Sequence, residues 1–576
     1  MEGNYPLASE GILALLNGEV SSESRQKKSQ AQELLALAIE HGDFWTSPDG
    51  VEFVTFAQSG PSEHWPLDSR RARQWLAGLY YEAHGKPLSS QTISDVVELL
   101  KWRAVRSNKR IQVHLRIAKL HDILFLDLCD DSWQAVEITK HGWRVCAPYV
   151  AFRRSRGMLP LPHPEEGSIE LLRNFLNVDD ESFVLVISWL LAAMREEGPF
   201  PILLLEGEQG SGKSTAARVL RSLVDPNACP LRSTPREERD LMIAARNAWV
   251  LAFDNLSGIP PWFSDALCRL ATGGGFAIRK LYTDADEELF EATRPIVCTG
   301  IDDIVSRHDF LDRCIRVTLP PIPDEKRRDE TMFWNEFEKA RPKILGGLLN
   351  AVCTGLQNWE STKLDRLPRM ADFARWVVAC EEALPWRPGT FLEVYSENRQ
   401  ETILQATELD PFICALRNLV SEGDWEGTPT ELLAALSSSV SEAVKRSSSW
   451  PSTPERLGRK IKRSMSFLRA LGIAVESYRK SGGSRTRVYR IFRESPDKTV
   501  PTVPTVPNQE KDQENQGFQG GTVSRDSNGG GTDLLSRPKP APEAGWDGRD
   551  GRDSNIPTFS KKPHERGDGW DEIVLG

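Results

Sequence analysis

Ile202-Leu-Leu-Leu-Glu-Gly-Glu-Gln-Gly-Ser-Gly-Lys-Ser-Thr215 is the most informative segment of this 576-residue chain. It begins with the apolar run of a buried strand, and the pattern Gly-x4-Gly-Lys-Ser follows at once. We predict a helix from Thr215 to Leu223 directly after this loop. Glycines let a backbone wrap around a phosphate, and the N–H groups of a helix N-terminus point at the anion. The segment therefore predicts a nucleotide-binding loop made of Gly207, Glu208, Gln209, Gly210, Ser211, Gly212, Lys213, Ser214 and Thr215.

Two side chains of this loop and one downstream acid predict ATP and Mg²⁺ as ligands. We expect Lys213 to reach the β- and γ-phosphates and the Ser214 hydroxyl to bind Mg²⁺. The apolar run Trp249–Phe253 ends in Asp254, which we expect to hold the same ion through a water. Many hydrolysing enzymes carry Glu directly after this Asp, but here Asn255 follows, so binding is a safer prediction than turnover. Three candidates for a catalytic base stay open: Glu206, Glu208 and Asp265.

Composition excludes several classes of protein. The hydrophobic share of 39% and the charged share of 27% are ordinary for a globular protein of several domains. The longest mostly apolar stretch, Phe183–Met194, is shorter than the roughly 20 residues that span a bilayer. The N-terminus has no secretory pattern, and the cysteines form no Cys-x-x-Cys pair. We therefore expect no membrane association and a cytoplasmic protein of a bacterial or phage-infected cell.

A succession of short motifs downstream carries a family resemblance. The motifs are Leu270–Gly274, Ala277–Tyr282, Arg294–Gly300, Leu311–Arg316 and Val317–Pro321. With the loop and Asp254, their order resembles the Walker A, Walker B, B′ and C succession of superfamily 3 helicases, which are AAA+ ATPases. It is most similar to the primase-associated helicases of phages and integrated elements. The resemblance implies a ring-shaped homo-oligomer, possibly a hexamer.

The resemblance also implies roles for individual residues. Arg279 and Lys280 would lie on a hairpin that grips single-stranded DNA in the ring channel, unless the hairpin packs on its own domain. Thr299 stands where the family usually has an Asn sensor, which again puts efficient hydrolysis in doubt. Arg313 would be the arginine finger that completes the site of the adjacent subunit. Arg307 and Arg316 are the other candidates for that role. For each of these three arginines, the alternative is a salt bridge within its own chain. Arg369 is a candidate second sensor.

The rest of the chain divides by composition. Residues 1–165 predict an α+β accessory domain, with a helix at Ser29–Glu40 and a strand at Ile111–Ile117. Further strands are predicted over 123–128, 135–139 and 143–146. The Pro-rich stretch Leu159–Pro164 indicates a linker. Residues 168–325 would form the ATPase core and 326–420 a helical lid. Five basic residues could contact phosphates or simply form a solvated face: Lys101, Arg103, Arg106, Lys109 and Arg110.

Residues 421–493 predict a winged-helix module that binds DNA. Capping-box signals at Thr428–Glu431 and Ser452–Glu455 precede helical segments, the first over Leu432–Val444. Residues 455–493 carry twelve Lys and Arg against two Glu, although the whole chain has a net charge of −10. A basic helix and a basic hairpin suit phosphate contacts with duplex DNA, and protein contact is the alternative. The candidate DNA contacts are Arg456, Arg459, Lys460, Arg463, Lys480, Arg485 and Arg487.

The last 83 residues, 494–576, predict a disordered, acidic tail rich in Gly and Pro. Its end, Trp570–Leu575, is either a plain terminus or a docking segment for replication proteins. The fold class is thus an α/β P-loop (AAA+-like) ATPase core with an α+β N-terminal domain, a helical lid, a C-terminal winged helix and a disordered tail. The function predicted is an ATP-dependent DNA helicase or translocase in replication of a phage or mobile element. Two alternatives are a slow ATP-gated DNA-binding switch and an ATPase of an anti-phage defence system.

Overall fold

A computed structural model describes residues 28–57, 61–279, 287–300, 308–447, 450–479 and 487–493. The chain divides into two compact units, residues 1–499 and 500–576, and every described residue belongs to the first. The predicted acidic tail therefore lies outside the described residues, as do Lys280, Arg307, Lys480 and Arg485. Within the described ranges, no helix combines the length and the apolar character that a membrane span requires.

The N-terminal part begins with a small three-stranded antiparallel sheet and three helices packed around their own core. As predicted, a helix begins after Ser29, which forms a capping box with Gln32. Leu34, Trp75 and Leu100 contribute to this core, one from each helix. The elements are α1 (Gln30–His41), β1 (Gly42–Thr46), β2 (Glu52–Phe56), β3 (Glu63–Pro66), α2 (Arg70–His84) and α3 (Ser90–Arg106).

A second, four-stranded antiparallel sheet follows in the order β5-β6-β7-β8. The predicted single strand Ile111–Ile117 is wrong, because the structure divides it between two sheets. The Arg116 side chain at the break is fully buried and bonds to Asp225 and to the Asp127 carbonyl, so the chain turns there to bury it. The elements are β4 (Val113–His114), β5 (Ile117–Leu120), β6 (Ile123–Asp127), β7 (Ala135–Thr139), β8 (Gly142–Cys146) and β9 (Ala151–Phe152).

The predicted linker at Leu159–Pro164 is also wrong. Leu161 is buried, and its N–H donates to the Leu128 carbonyl at 2.9 Å. The chain then runs against Gly346 and Gly347 of a long helix, where a Cβ on Gly346 would overlap the Glu165 carbonyl oxygen. Residues 159–169 are therefore packed between the second sheet and that helix, so residues 111–165 are not a region apart from the rest.

A four-stranded parallel sheet lies at the centre, in the order β11-β14-β10-β15. The predicted strand and helix around the glycine-rich loop are confirmed within one to two residues at each end. An antiparallel hairpin, β12–β13, projects from the chain between β11 and β14. The elements are α4 (Asp180–Ala193), β10 (Ile202–Glu206), α5 (Lys213–Val224), α6 (Glu238–Asn247), β11 (Leu251–Leu256), α7 (Pro261–Thr272), β12 (Gly274–Arg279), β13 (Glu287–Ala292), β14 (Ile296–Gly300), α8 (His308–Leu311) and β15 (Cys314–Thr318).

A helical region follows the sheet, as the sequence predicted. Its largest helix shares one hydrophobic core with β10, with α4 and with the second antiparallel sheet. Val136, Leu203 and Leu348 are members of that core, so three parts of the chain stabilise one another through apolar burial. The helices are α9 (Glu330–Asn358), α10 (Ala371–Cys380), α11 (Thr390–Leu409) and α12 (Pro411–Ser421).

The C-terminal part has three helices and a three-stranded sheet in the order β16-β18-β17 among its described residues. The Thr428–Glu431 capping box is confirmed, but the predicted helix Leu432–Val444 is interrupted. Ser438 and Ser439 donate to carbonyls three residues back and compete with the helical bonds. The predicted cap Ser452 is displaced to Thr453. The elements are β16 (Trp425–Gly427), α13 (Pro429–Ser438), α14 (Glu442–Lys445), α15 (Pro454–Ala470), β17 (Ile473–Arg479) and β18 (Arg487–Arg493).

Candidate nucleotide site and DNA surfaces

The glycine-rich loop, residues 207–212, joins β10 to the N-terminus of α5. Gly207, Gly210 and Gly212 have positive φ angles of 139°, 84° and 90°, which favour glycine. A Cβ on Gly207 would overlap the Leu319 carbonyl oxygen, so that position is closed to every other residue. The N-cap residue of α5 is Gly212, so no N-cap side chain competes with an anion for the first N–H groups of this helix.

The Lys213 ammonium lies across the loop. Its Nζ donates to the carbonyls of Gly207 at 2.7 Å and Glu208 at 2.6 Å, and lies 3.4 Å from the Ser211 hydroxyl oxygen. Asn177 holds the other side, since its Nδ2 donates to the carbonyl oxygen of Ser211 at 3.1 Å. No sequence pattern selects Asn177, which precedes α4 and belongs to no recognisable motif.

Asp254 lies at the centre of the polar groups beside the loop. Its Oδ1 is 2.8 Å from the Ser214 Oγ and also accepts a hydrogen bond from the Thr299 hydroxyl. Asp254 is on β11, Thr299 is on β14, and Ser214 follows the loop after β10, so the three come from adjacent parallel strands. The carboxyl edge of a parallel sheet is where such folds bind ligands. The structure thus brings together Lys213, Ser214, Asp254 and Thr299, which the sequence had selected separately.

Asn255 has a left-handed backbone with φ of 54° at an irregularity in the β11–β14 pairing. Its N–H donates to the Thr299 Oγ1 at 3.0 Å. Asn tolerates this conformation better than most residues, because its short polar side chain adapts to it. The departure from the usual Glu therefore coincides with a backbone that disfavours Glu, and the Thr299 hydroxyl bonds both Asp254 and Asn255.

The candidate bases have different surroundings. Glu206 is 2% exposed and forms an ion pair with Arg316, whose Nε donates to it at 2.8 Å. Asp265 lines a cavity of about 470 Å³ that also contains Arg313, at the far end of the sheet from the loop. Glu208 is exposed on the loop itself. The ion pair explains Arg316, which lies opposite Leu204 in β10 and is tied to its own chain.

Arg313 lies at the amino end of the central sheet. Its carbonyl accepts from the N–H of Ile202, the first residue of β10, while the glycine-rich loop follows the last residue. Five strand residues separate these ends, which is about 16 Å at 3.3 Å per residue. Arg313 pairs with Asp309, and so does Arg369. Arg313 therefore lies at the opposite end of β10 from the glycine-rich loop, and both arginines pair with acids of their own chain.

The β12–β13 hairpin pairs in register from Gly274 opposite Ala292 to Arg279 opposite Glu287. Arg279 is thus at the outer end of β12, next to Lys280 outside the described residues. Arg294 secures the base of the hairpin, since its Nε donates to the Ala245 carbonyl at 2.8 Å. Its guanidinium lies 5.3 Å from the centre of the Trp249 ring, and burial lowers the pKa of Arg294 to about 10. Sequence analysis included Arg294 only as the start of the Arg294–Gly300 motif and assigned it no role, because an isolated Arg before a Pro gives no signal for one.

The basic helix α15 presents Arg456, Arg459 and Arg463 to solvent, together with Lys462 and Arg469, which the sequence analysis left out. Lys460 differs from the prediction. It is only partly exposed, its Nζ lies 3.1 Å from an Asp410 carboxylate oxygen, and it lies over the Phe412 ring at 5.3 Å. Lys460 therefore anchors α15 to α12. A helical wheel contains the signal, because Lys460 lies between the buried residues Leu457 and Ser464 on one face.

The two strands of the C-terminal hairpin bring further cations together. Arg487 at the start of β18 is exposed and lies directly opposite Arg479 of β17, which is also exposed. The hairpin tip, with Lys480 and Arg485, lies outside the described residues.

Two protein-family models match this chain. Residues 168–388 match the actinomycete integrative conjugative element (AICE) replication protein, RepA. Residues 412–507 match the AICE RepA C-terminal domain. In both segments the chain is similar to AICE RepA. The first match contains the glycine-rich loop, Asp254, Thr299 and Arg313, and the second contains the basic helix α15. Together these matches support a role in DNA replication of a mobile element.

Solved structures give weaker likenesses. The apo structure of the NrS-1 C-terminal region is 12% identical with a TM-score of 0.37, and the alignment covers 81% of this chain and 100% of the other. A structure of JCV helicase is 13% identical with a TM-score of 0.20, covering 36% of this chain and 67% of the other. Among curated proteins, none matches this chain.

Proposed function

We propose that this chain is an ATP-dependent DNA helicase or translocase that acts in replication of a mobile element. The observation that carries the proposal is the group Lys213, Ser214, Asp254 and Thr299 at the carboxyl edge of one parallel sheet. Similarity to replication proteins of integrative conjugative elements supports the DNA role and makes the defence-system alternative less suitable.

ATP and Mg²⁺ fit the residues at this edge. The three glycines with positive φ allow the loop backbone to wrap around a phosphate group. Lys213 neutralises phosphate charge, while the Ser214 hydroxyl and the Asp254 carboxylate, 2.8 Å apart, supply oxygen ligands of the kind that Mg²⁺ prefers. Bound Mg²⁺ would neutralise charge that develops during phosphoryl transfer.

Arg313 would act on the nucleotide of a neighbouring copy. Its distance of about 16 Å from its own loop, at 3.3 Å per strand residue, leaves no role on its own nucleotide. A head-to-tail ring, a hexamer by family resemblance, would bring Arg313 of one copy to the glycine-rich loop of the next. The glycine-rich loop of one subunit and Arg313 of its neighbour would then form one catalytic site.

DNA would contact two surfaces in this proposal. The β12–β13 hairpin, with Arg279 and Lys280, would contact single-stranded DNA, and α15 with Arg487 would hold duplex. The exposed cations of α15 suit phosphate contacts, which depend on salt and not on base sequence.

The test is steady-state ATP hydrolysis with and without single-stranded DNA. We expect DNA to stimulate wild-type turnover and Lys213→Ala to abolish it. We expect Arg313→Ala to reduce turnover by about 1000-fold or more, the effect of losing an arginine finger. Lys339→Ala, which removes an exposed lysine of α9, is the matched control and keeps wild-type turnover. If ATP turnover of the wild type stays at background level when DNA is added, the motor function is contradicted.

Mixing the two inactive variants tests the role of Arg313 in trans. In a mixed ring, some interfaces combine the intact loop of Arg313→Ala with the intact Arg313 of Lys213→Ala. Activity should therefore return in the mixture, although neither variant is active alone. A mixture as inactive as its components would rule out a finger that acts between subunits.

A second candidate function is an ATP-gated DNA-binding switch with slow turnover. Asn255 and Thr299 favour it, because Asn255 stands in place of the carboxylate, and Thr299 in place of the carboxamide, that usually position the attacking water. The switch predicts nucleotide binding that Lys213→Ala abolishes, DNA affinity that changes with nucleotide, and turnover near background with or without DNA.

A further inference from the structure

The C-terminal end of α3 carries apolar side chains on the face directed away from the core. Leu99, Trp102 and Val105 are 47%, 44% and 61% exposed, and they recur every three residues along this face. The opposite face of the helix is fully buried, with Leu100 and Ala104 packed in the N-terminal core. The exposed residues are therefore not needed for the attachment of α3. We call Leu99, Trp102, Val105 and Arg106 the α3 face.

The segment from Leu99 to Arg110 is basic, although the exposed acids Asp95 and Glu98 lie in the turn before it. Residues 99–110 contain five Lys and Arg and no acid. Lys101 pairs with Asp68 and Glu98, and Lys109 pairs with Asp43. In contrast, the guanidinium of Arg106 lies 5.3 Å from the centre of the Trp102 ring.

Arg110 is exposed as well, and among the described residues neither Arg106 nor Arg110 forms an ion pair. Cations in the last turn of a helix favour its dipole, which accounts for Arg106 in part. That effect falls off within one turn, so it does not account for Arg110, which lies four residues beyond the end of α3.

The chain that follows Arg110 leads to the base of the β12–β13 hairpin. Gln112, Val113 and His114 line a cavity of about 510 Å³ that is also lined by Gly273–Gly275. The basic segment thus continues towards the part of the chain that the proposed function assigns to single-stranded DNA.

We propose that the α3 face is a binding site for single-stranded DNA. Trp102 would stack on an unpaired base, while Arg106 and Arg110 contact the flanking phosphates. An aromatic platform beside cations is the arrangement that single-strand binding proteins use, and duplex DNA does not offer a base face to it. The site lies outside both segments that match AICE RepA, so it adds to the proposed function an N-terminal contact with the strand.

The probe is fluorescein-labelled oligothymidylate, whose binding to the full chain is followed by fluorescence anisotropy. We expect Trp102→Ala to weaken binding by at least about fivefold and Trp102→Phe to recover most of it, because the stacking surface remains. Arg106→Gln and Arg110→Gln should each reduce the slope of log K against log salt by about 0.7, the value for one phosphate contact on a single strand.

Tyr81→Ala is the matched control. Tyr81 is an aromatic residue on the neighbouring helix α2, is 61% exposed and is followed by Glu82, so its removal should leave the affinity unchanged. All these positions are on the surface, and thermal melting by circular dichroism should show wild-type stability.

Two results would overturn the proposal. One is wild-type affinity for oligothymidylate in Trp102→Ala. The other is a change in oligomer mass by light scattering at unchanged affinity, which would make the α3 face a protein interface. Both leave the proposed function intact if DNA still stimulates ATP turnover and if duplex binding still depends on α15. If DNA does not stimulate ATP turnover of the wild type but Trp102→Ala still weakens oligothymidylate binding, the motor is contradicted and this binding site is not.

Discussion

Arg116 and Asp225 form an ion pair in which neither side chain is exposed to solvent. The Arg116 Nε donates to Asp225 Oδ1 at 3.1 Å, and its Nη1 donates to the Asp127 carbonyl at 3.0 Å. Asp225 Oδ2 accepts from the N–H groups of Trp249 and Val250 at 2.9 and 3.1 Å. Asp225 ends α5 and Val250 leads into β11, so this pair connects the second antiparallel sheet to the two elements that carry Lys213 and Asp254.

Breaking this pair should cost much stability. Asp225→Ala leaves a buried guanidinium without its counter-charge, and we expect the free energy of unfolding to fall by about 3–5 kcal/mol in urea denaturation. Asp324→Ala removes one partner of the exposed Arg327–Asp324 pair and should cost less than about 1 kcal/mol. If both variants lose the same free energy of unfolding, burial does not determine how much each ion pair contributes to stability.

Gly346 should tolerate no side chain. In Gly346→Ala the new Cβ would overlap the Glu165 carbonyl oxygen, so the packed segment or α9 must shift, at a cost of about 1–3 kcal/mol. Gly78 of α2 has nothing within 4 Å of a built Cβ. Gly78→Ala should therefore stabilise the protein by about 0.5–1 kcal/mol through helix propensity. Thermal melting of both variants measures the contrast, and a stabilised Gly346→Ala would refute the close packing.

The backbone at Asn255 should restrict which residues fit there. Asn255→Val places a β-branched residue at φ of 54° and should lower the free energy of unfolding by about 1–2 kcal/mol. Asn255→Gly should leave it nearly unchanged, because glycine adopts this conformation without strain. The measurement is urea denaturation. If Asn255→Gly destabilises the protein and Asn255→Val does not, the backbone at Asn255 is not left-handed.

Neighbouring lysines of α15 should have separate effects. Lys460→Ala removes the contacts with Asp410 and Phe412 and should lower the melting temperature with little change in the salt dependence of duplex binding. Lys462→Ala should leave the melting temperature unchanged and reduce the slope of log K against log salt by about 0.9. If the two variants behave identically in both measurements, Lys460 is not a structural anchor distinct from the DNA contact Lys462.

Local signals in the sequence could predict the elements around the glycine-rich loop. The apolar run, the glycines and the helix around Lys213 are continuous in the chain, so one segment contains all the information. Asp254 and Thr299 could also be selected, because each ends an apolar run. Their contact with Ser214 could not be predicted in detail, since it depends on the order of strands in the sheet.

Long-range packing caused the errors. The residue that divides the predicted strand Ile111–Ile117 is Arg116, and its partner Asp225 is more than one hundred residues away. The predicted linker is packed because Gly346 and Gly347 leave room for it. Alternation and proline content describe only neighbouring residues, so neither could reveal a partner so distant in the chain.

The packing of residues 159–169 also has a mechanical consequence. Trp143 of β8 donates to the Asn350 side chain of α9 at 2.8 Å, and Glu165 donates to the Pro342 carbonyl at 3.1 Å. Sheet β5–β8 is therefore joined to α9 directly through Trp143 and indirectly through the packed segment, whose Leu161 N–H donates to the Leu128 carbonyl. If α9 rotates when a nucleotide binds, sheet β5–β8 must move with it, because the Trp143–Asn350 bond and the packed segment 159–169 couple the two.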